Sequence, residues 1–249
     1  MLLDGKNAII YGGGGSIGGA VARAYAREGA KVHLAGRTID TLEAVADEIR
    51  ATGAQVETAE VDALAPEAVD DHADAVAARD GRLDISFCLI SQGDVQGTPL
   101  NEMSVEDFME PVVRTVKAMF VTARAAARHM IRQRSGVILA FGGYGPPVAK
   151  VGGLQVAFGA VESLRRGLAC ELGQYGIRVL TLQTGGIPES IPEGLAWRQA
   201  VTEQIVQRTL LGRAASLEDV GNAAVLAASD YARTMTGTAL NITGGAVPD

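Results

Sequence analysis

The sequence predicts an α/β fold: one doubly wound, seven-stranded parallel sheet with helices on both faces. Three observations predict it. Short β-rich runs alternate with helical patterns from one end of the chain to the other. A glycine-rich segment, "IYGGGGSIGG" at 10–19, stands where the first run passes into a helical one. No repeat, low-complexity tract or linker breaks the alternation, so residues 1–249 are expected to form a single domain.

The strands are expected at "NAIIY" (7–11), "KVHLA" (31–35), "AQVETAEV" (54–61), "DISFCLI" (84–90), "GVILAF" (136–141), "RVLTLQ" (178–183) and "ALNIT" (239–243). Amphipathic helices are expected at 17–28 and 39–50, the second capped by Thr38 or Asp40 and followed by Gly53. A longer helix spans 105–132. Val112, Val116, Met119, Phe120, Ala123, Ala127 and Met130 form its apolar stripe, and Arg114, Lys117, Arg124, Arg128 and Arg132 its polar face. Another, at 154–173, lines up Leu154, Phe158, Val161, Leu164, Leu168 and Leu172. "SLED" at 216–219 reads as a capping box that opens the last helix, with Ser216 as cap and Asp219 three residues on. Residues 187–210 break the rhythm with two prolines and a helical segment, a pattern that suits either a mobile lid or an ordinary surface helix.

With 22 basic and 29 acidic residues the net charge is −7, and no basic block occurs, which argues against a nucleic-acid partner. No 18-residue apolar run is present, and Asp4 and Lys6 interrupt the N-terminal stretch where a leader needs its apolar segment. The expectation is a cytoplasmic protein with no membrane partner. The two cysteines, Cys88 and Cys170, lie in apolar surroundings without metal-ligand spacing, so no metal is expected and both thiols are expected buried. His33, His72 and His129 have no partner identifiable from the sequence, and Tyr11 is expected to pack against the sheet.

Glycines between a strand and a helix let backbone N–H groups approach a pyrophosphate, and the helix start near Ser16 adds a dipole that favours negative charge. Gly12, Gly14, Gly15, Ser16, Ile17 and Gly18 are therefore the candidate phosphate cradle. The second strand ends in "LAGRT". An acid there would bind the 2′-hydroxyl of NAD, whereas Arg37 and Thr38 suit a 2′-phosphate, which favours NADP(H) over NAD(H); the alternative for Arg37 is a solvated surface side chain. Asp62, after the third strand, can accept from an adenine amino group or cap a helix.

These features resemble the short-chain dehydrogenase/reductase family over nearly the whole chain. The family's T-G-x-x-x-G-x-G corresponds to residues 11–18, with Tyr11 for threonine and Ser16 for the middle glycine, a serine-isoleucine pair similar to the enoyl-reductase branch. "LLGRAASLEDVGNAAVLAASDYARTMTGTALNITGG" at 210–245 follows the family's C-terminal pattern closely. The resemblance implies a Rossmann-type fold, a small-molecule substrate and a homo-oligomer, dimer or tetramer, built on the helices at 105–132 and 154–173. It also implies that Ser91, at the end of the N-N-A-G position, and Gly185 and Ile187, after the sixth strand, border the nicotinamide half of the cofactor.

The family's catalytic residues do not carry over. Thr115 stands for the asparagine, Gly143 for the serine, and Leu154 and Phe158 for the tyrosine and lysine of Y-x-x-x-K. Leucine and phenylalanine can neither donate a proton nor pair with an oxyanion, and loss of one positioned acid typically costs about 10² to 10⁴ in rate. Either an apolar stripe has spread over a former polar site, or an apolar pocket serves another substrate with a proton from water or another residue. Tyr144 is the first candidate donor, against the alternative of a tyrosine packed on a loop; Lys150 is a weaker one. Three functions follow: an NADP(H)-dependent oxidoreductase acting on a small apolar carbonyl or activated alkene, a cofactor-binding pseudoenzyme or regulatory subunit, or a non-redox cyclase, isomerase or lyase.

Overall fold

The computed structural model describes residues 1–142 and 145–248. Seven strands form one parallel sheet: β1 (Asn7–Tyr11), β2 (Lys31–Gly36), β3 (Val56–Glu60), β4 (Ile85–Cys88), β5 (Gly136–Gly142), β6 (Ile177–Gln183) and β7 (Thr238–Asn241). Their order across the sheet is β3-β2-β1-β4-β5-β6-β7. The chain thus grows outward from β1 to β3, then returns to lay β4 on the other side of β1. This reversal opens a crevice beyond the carboxyl ends of β1 and β4, where ligands of such sheets bind.

Period-two alternation divides β1 between two cores. Ala8 and Ile10 pack with Val21 and Tyr25 of α1 (Ser16–Arg27), Leu42 and Ile49 of α2 (Ile39–Ala51) and Val220 of α7 (Leu217–Ala228). Ile9 and Tyr11 face the other way, onto Val69 and Val76 of α3 (Pro66–Asp80), Met119 and Met130 of α4 (Val105–Gln133) and Val161 of α5 (Leu154–Leu172). The remaining helix, α6 (Arg198–Gln207), follows a short 3-10 turn at Pro188–Ser190 and has no buried residue. It occupies the segment where the sequence breaks its rhythm.

Most expected elements fall within two or three residues of those observed. The capping box is present: the Asp219 amide donates to Ser216 Oγ and the Ser216 amide to an Asp219 carboxylate oxygen, each at 3.0 Å. These bonds, with Arg213 at 2.7 Å, hold the Asp219 carboxyl below its usual range. Two expectations need correction, and one element was not expected at all. The helix α3, opened by Pro66 at its first turn, is one that the apolar spacing does not announce. Phe120 is 47% exposed, although Met119, Ala123, Ala127 and Met130 of the same expected stripe are buried, because the buried face takes in Thr115, Ala118 and Thr122 beside them. Cys170 is exposed on the outer face of α5, and Cys88 is only partly buried, though its apolar surroundings push the thiol up to about 11. The histidines have partners: His33 lies 3.0 Å from Asp80, His129 lies 2.7 Å from Asp74, and His72 meets the Tyr11 ring edge-on at 6.2 Å between centroids.

Candidate active site

The glycine run is shaped by two contacts that exclude side chains. Gly12 has φ +84°, and a Cβ there would stand 2.4 Å from the Leu89 carbonyl oxygen of the neighbouring strand end. A Cβ on Gly18 would stand 2.2 Å from the Gly12 carbonyl oxygen. Both must be glycine for the turn to close against β4 and for α1 to start where it does. Gly14 lies against Thr41, so it seats the loop on α2. Gly15 differs: its nearest neighbour would be 3.5 Å away, and it faces open space.

α1 begins at Ser16 with no side chain capping it and no acid in its first turn. By contrast, α4 and α7 are capped by Ser104 and Ser216 and carry acids in their first turns. The α1 terminus therefore keeps its orphan amides and its positive dipole end free for an external anion.

These elements border a crevice of about 270 Å³ lined by Gly12, Gly14, Gly15, Arg37, Thr38, Asp62 and Ser91, together with Leu42, Val61, Ala63, Leu89, Ile90 and Arg114. Arg37 is exposed, and no acid among the described residues pairs with it. Thr38 occupies the cap position of α2 with its side chain unused for capping. Asp62 is not a helix cap, since Ala65 holds that position of α3; one carboxylate oxygen accepts from the Leu64 amide at 3.0 Å, and the residue is exposed at the crevice rim. Open amides, an unpaired guanidinium and a rim carboxylate make a donor and acceptor set suited to a phosphorylated adenine nucleotide. Arg114 is the residue that sequence reasoning passes over. Its place on the polar face of a helix is visible in the sequence, but its approach to Ser91, 23 positions away, is not.

Gly185 and Ile187 lie apart from this crevice, past the end of β6. Gly185 faces Thr243 and Ala246, and Ile187 is buried in the core on the α1 side. Leu154 and Phe158 occupy the first two turns of α5, both half-buried. The start of α5 is pinned against α4, because a Cβ on Gly153 would meet the Phe108 carbonyl. The Phe158 ring lies across the end of β5, at 3.6 Å from where a Cβ on Gly142 would stand. Thr115 is 9% exposed, and its hydroxyl has no hydrogen-bond partner among the described residues. It lines a cavity of about 10 Å³ with Cys88 and Gln92, room for roughly one water. Gly143 and Tyr144 lie outside the described residues. No helix among the described residues is long and apolar enough to cross a membrane.

A family model described as enoyl-(acyl carrier protein) reductase matches residues 13–247. The chain is 30% identical over 246 residues to a gluconate 5-dehydrogenase of Gluconobacter oxydans, covering 98% of this chain and 95% of the relative. Among solved structures, it is similar to a short-chain type dehydrogenase/reductase from Mycobacterium ulcerans, with TM-score 0.90 and 27% identity over 100% of this chain and 94% of that one. It is also similar to a gluconate 5-dehydrogenase from Burkholderia cenocepacia in complex with NADP and tartrate, with TM-score 0.87 and 26% identity over 98% and 96% of the two chains.

Proposed function

Since the chain belongs to the short-chain dehydrogenase/reductase family of oxidoreductases, we propose that it uses NADP(H) to act on a small apolar carbonyl or activated alkene, with a proton source other than the family's tyrosine. The observation that carries this reading is the unpaired Arg37 beside a glycine loop and an uncapped α1 terminus. Backbone amides at Ser16 and Ile17 bind the diphosphate beside side-chain-free Gly15, whose own amide donates to the Gly12 carbonyl at 3.1 Å; Arg37 and Thr38 bind the 2′-phosphate, and Asp62 the adenine amino group. Gly12, Gly14 and Gly18 shape the loop, while Ser91, Gly185 and Ile187 border the nicotinamide side. When bound, the cofactor supplies a hydride. Leu154 and Phe158 stand where the family holds its tyrosine and lysine, so the proton comes from water, from Tyr144 or, as the weaker candidate, from Lys150. The apolar pair offers the substrate side no charged or hydrogen-bonding group, which suits a substrate without charges.

The test is NADPH oxidation across ketones, imines and enoyl thioesters, followed by Tyr144→Phe. Turnover that the variant lowers at least about tenfold assigns the proton to Tyr144; unchanged turnover removes Tyr144, and Lys150→Met then separates Lys150 from water. A second reading, a cofactor-binding regulatory subunit, is favoured by the same Leu154 and Phe158, and it predicts NADPH binding with no consumption on any substrate.

The assembly belongs to this proposal as well. Val113 and Phe120 on α4 and Val156 on α5 are about half exposed, which fits a cytoplasmic homo-oligomer joined through these helices. The segment 187–210, with α6, is proposed as a lid over the nicotinamide side.

A further inference from the structure

Two arginines enter the same crevice, and their surroundings differ. The sheet separates them: Arg37 leads into α2, which packs on one face, and Arg114 belongs to α4, which packs on the other. Arg37 is exposed and without an acid. The Arg114 side chain is only 16% exposed, and its guanidinium is held along two edges. Its Nε donates to the Ser91 carbonyl at 2.7 Å, and its Nη1 to the Glu110 carboxylate at 3.3 Å.

That arrangement suits Arg114 poorly to a phosphate. Glu110 offsets much of its charge and would itself repel an anion brought to the same place. What the two bonds leave is a flat, oriented plate with an Nη2 edge still available. The adjoining wall is aliphatic, made by Val61, Ala63, Leu89 and Ile90, with the Asp62 carboxylate at the rim. An apolar slot with one planar cation on its side and one acceptor at its edge matches a purine ring that carries an exocyclic amine.

We infer that Arg114 is a base-recognition residue: its guanidinium stacks on the adenine of the bound dinucleotide, while Arg37 across the crevice reads the 2′-phosphate. The two charges thus divide the work, one measuring the base and the other the phosphate that separates NADP from NAD. This inference rests on the nucleotide reading above.

The experiment is an equilibrium titration of the full chain with NADPH and with NADH, for wild type, Arg114→Met, Arg114→Lys and Arg37→Met, each variant first checked by circular dichroism. Methionine keeps most of the apolar stem but removes plane and charge; lysine keeps the charge and removes the plane. Both Arg114 variants are expected to weaken NADPH and NADH by the same factor, about 3- to 30-fold, leaving the NADPH-to-NADH ratio unchanged. Arg37→Met is expected to lower that ratio. If Arg114→Met weakens NADPH alone, or if Arg114→Lys retains wild-type affinity for both, the residue acts through charge and the stacking role is overturned. Unchanged affinity for both cofactors in Arg114→Met overturns it too. Should wild type bind neither cofactor, the nucleotide reading has failed first and takes this inference with it. If one Arg114 variant does not fold, the other decides.

Discussion

Single glycines in the 12–18 loop carry different duties, and substitution separates them. Alanine at Gly12 must adopt φ +84° and place its Cβ 2.4 Å from the Leu89 carbonyl oxygen. Gly12→Ala is therefore expected to destabilise the fold by about 2 kcal/mol or more, read as a drop in the urea midpoint. Gly15 has φ −82° and meets nothing nearer than 3.5 Å. Gly15→Ala should cost at most about 1 kcal/mol, as a poorer helix cap, yet lower NADPH affinity at least about tenfold, because the added methyl stands in the cradle. Equal losses of stability in the two variants would contradict this division. At Arg37, removal of a charge-assisted contact worth about 1.5 to 3 kcal/mol predicts a 10- to 100-fold loss of NADPH affinity in Arg37→Met, with NADH affected little.

Among the elements, legibility followed chemical contrast. β1 was readable to the residue because "NAIIY" is bounded by Lys6 and a glycine run. α7 was readable from its cap, and Ser216→Ala should cost about 1 kcal/mol in chemical denaturation by removing the acceptor of the Asp219 amide. α3 was hidden because its sheet-facing side is only Val69, Ala73 and Val76 among seven polar or charged neighbours in "PEAVDDHADAVAARD", too weak a stripe to stand out. In α4, Met119, Ala123, Ala127 and Met130 of the expected stripe are buried, but alanine and threonine fill much of the sheet-facing side, so the larger Phe120 was added to it wrongly. The crevice was legible as a set of types, with Gly12, Gly14, Gly15, Arg37, Thr38, Asp62 and Ser91 brought together from four separate stretches. Arg114 was not, since membership of that wall depends on how α4 crosses the carboxyl edge of the sheet.

Across the whole molecule, the reversal of strand order at β1 and β4 fixes where the crevice lies, and buried His33 and partly buried His72 contribute to how the fold responds to acid. Burial is the main cause that lowers both His33 and His72 to about 4. Asp80 opposes this at His33, while Lys31 and Arg79 reinforce it. Unfolded histidines take up protons near pH 6.5. Above that pH neither state is charged and full stability is present. Between pH 6.5 and 4 the unfolded chain binds protons that the folded chain refuses, so stability falls by about 2 kcal/mol per pH unit midway and the loss is complete below pH 4. Urea unfolding at pH 7, 6, 5 and 4.5 reads this slope, and His72→Asn should flatten it; a flat profile for the wild type would count against the burial of neutral imidazoles. The assembly proposal is checked by sedimentation: Phe120→Glu, which places a charge on the apolar outer face of α4, is expected to yield a smaller species.

The central claim is that the crevice at the switch point grips a 2′-phosphorylated dinucleotide through open amides and Arg37. Fluorescence titration of the wild-type protein with NADPH and NADH tests it most directly. The account predicts saturable binding of NADPH at least about tenfold tighter than NADH. Binding of neither up to millimolar concentration, or NADH bound as tightly as NADPH, would contradict it.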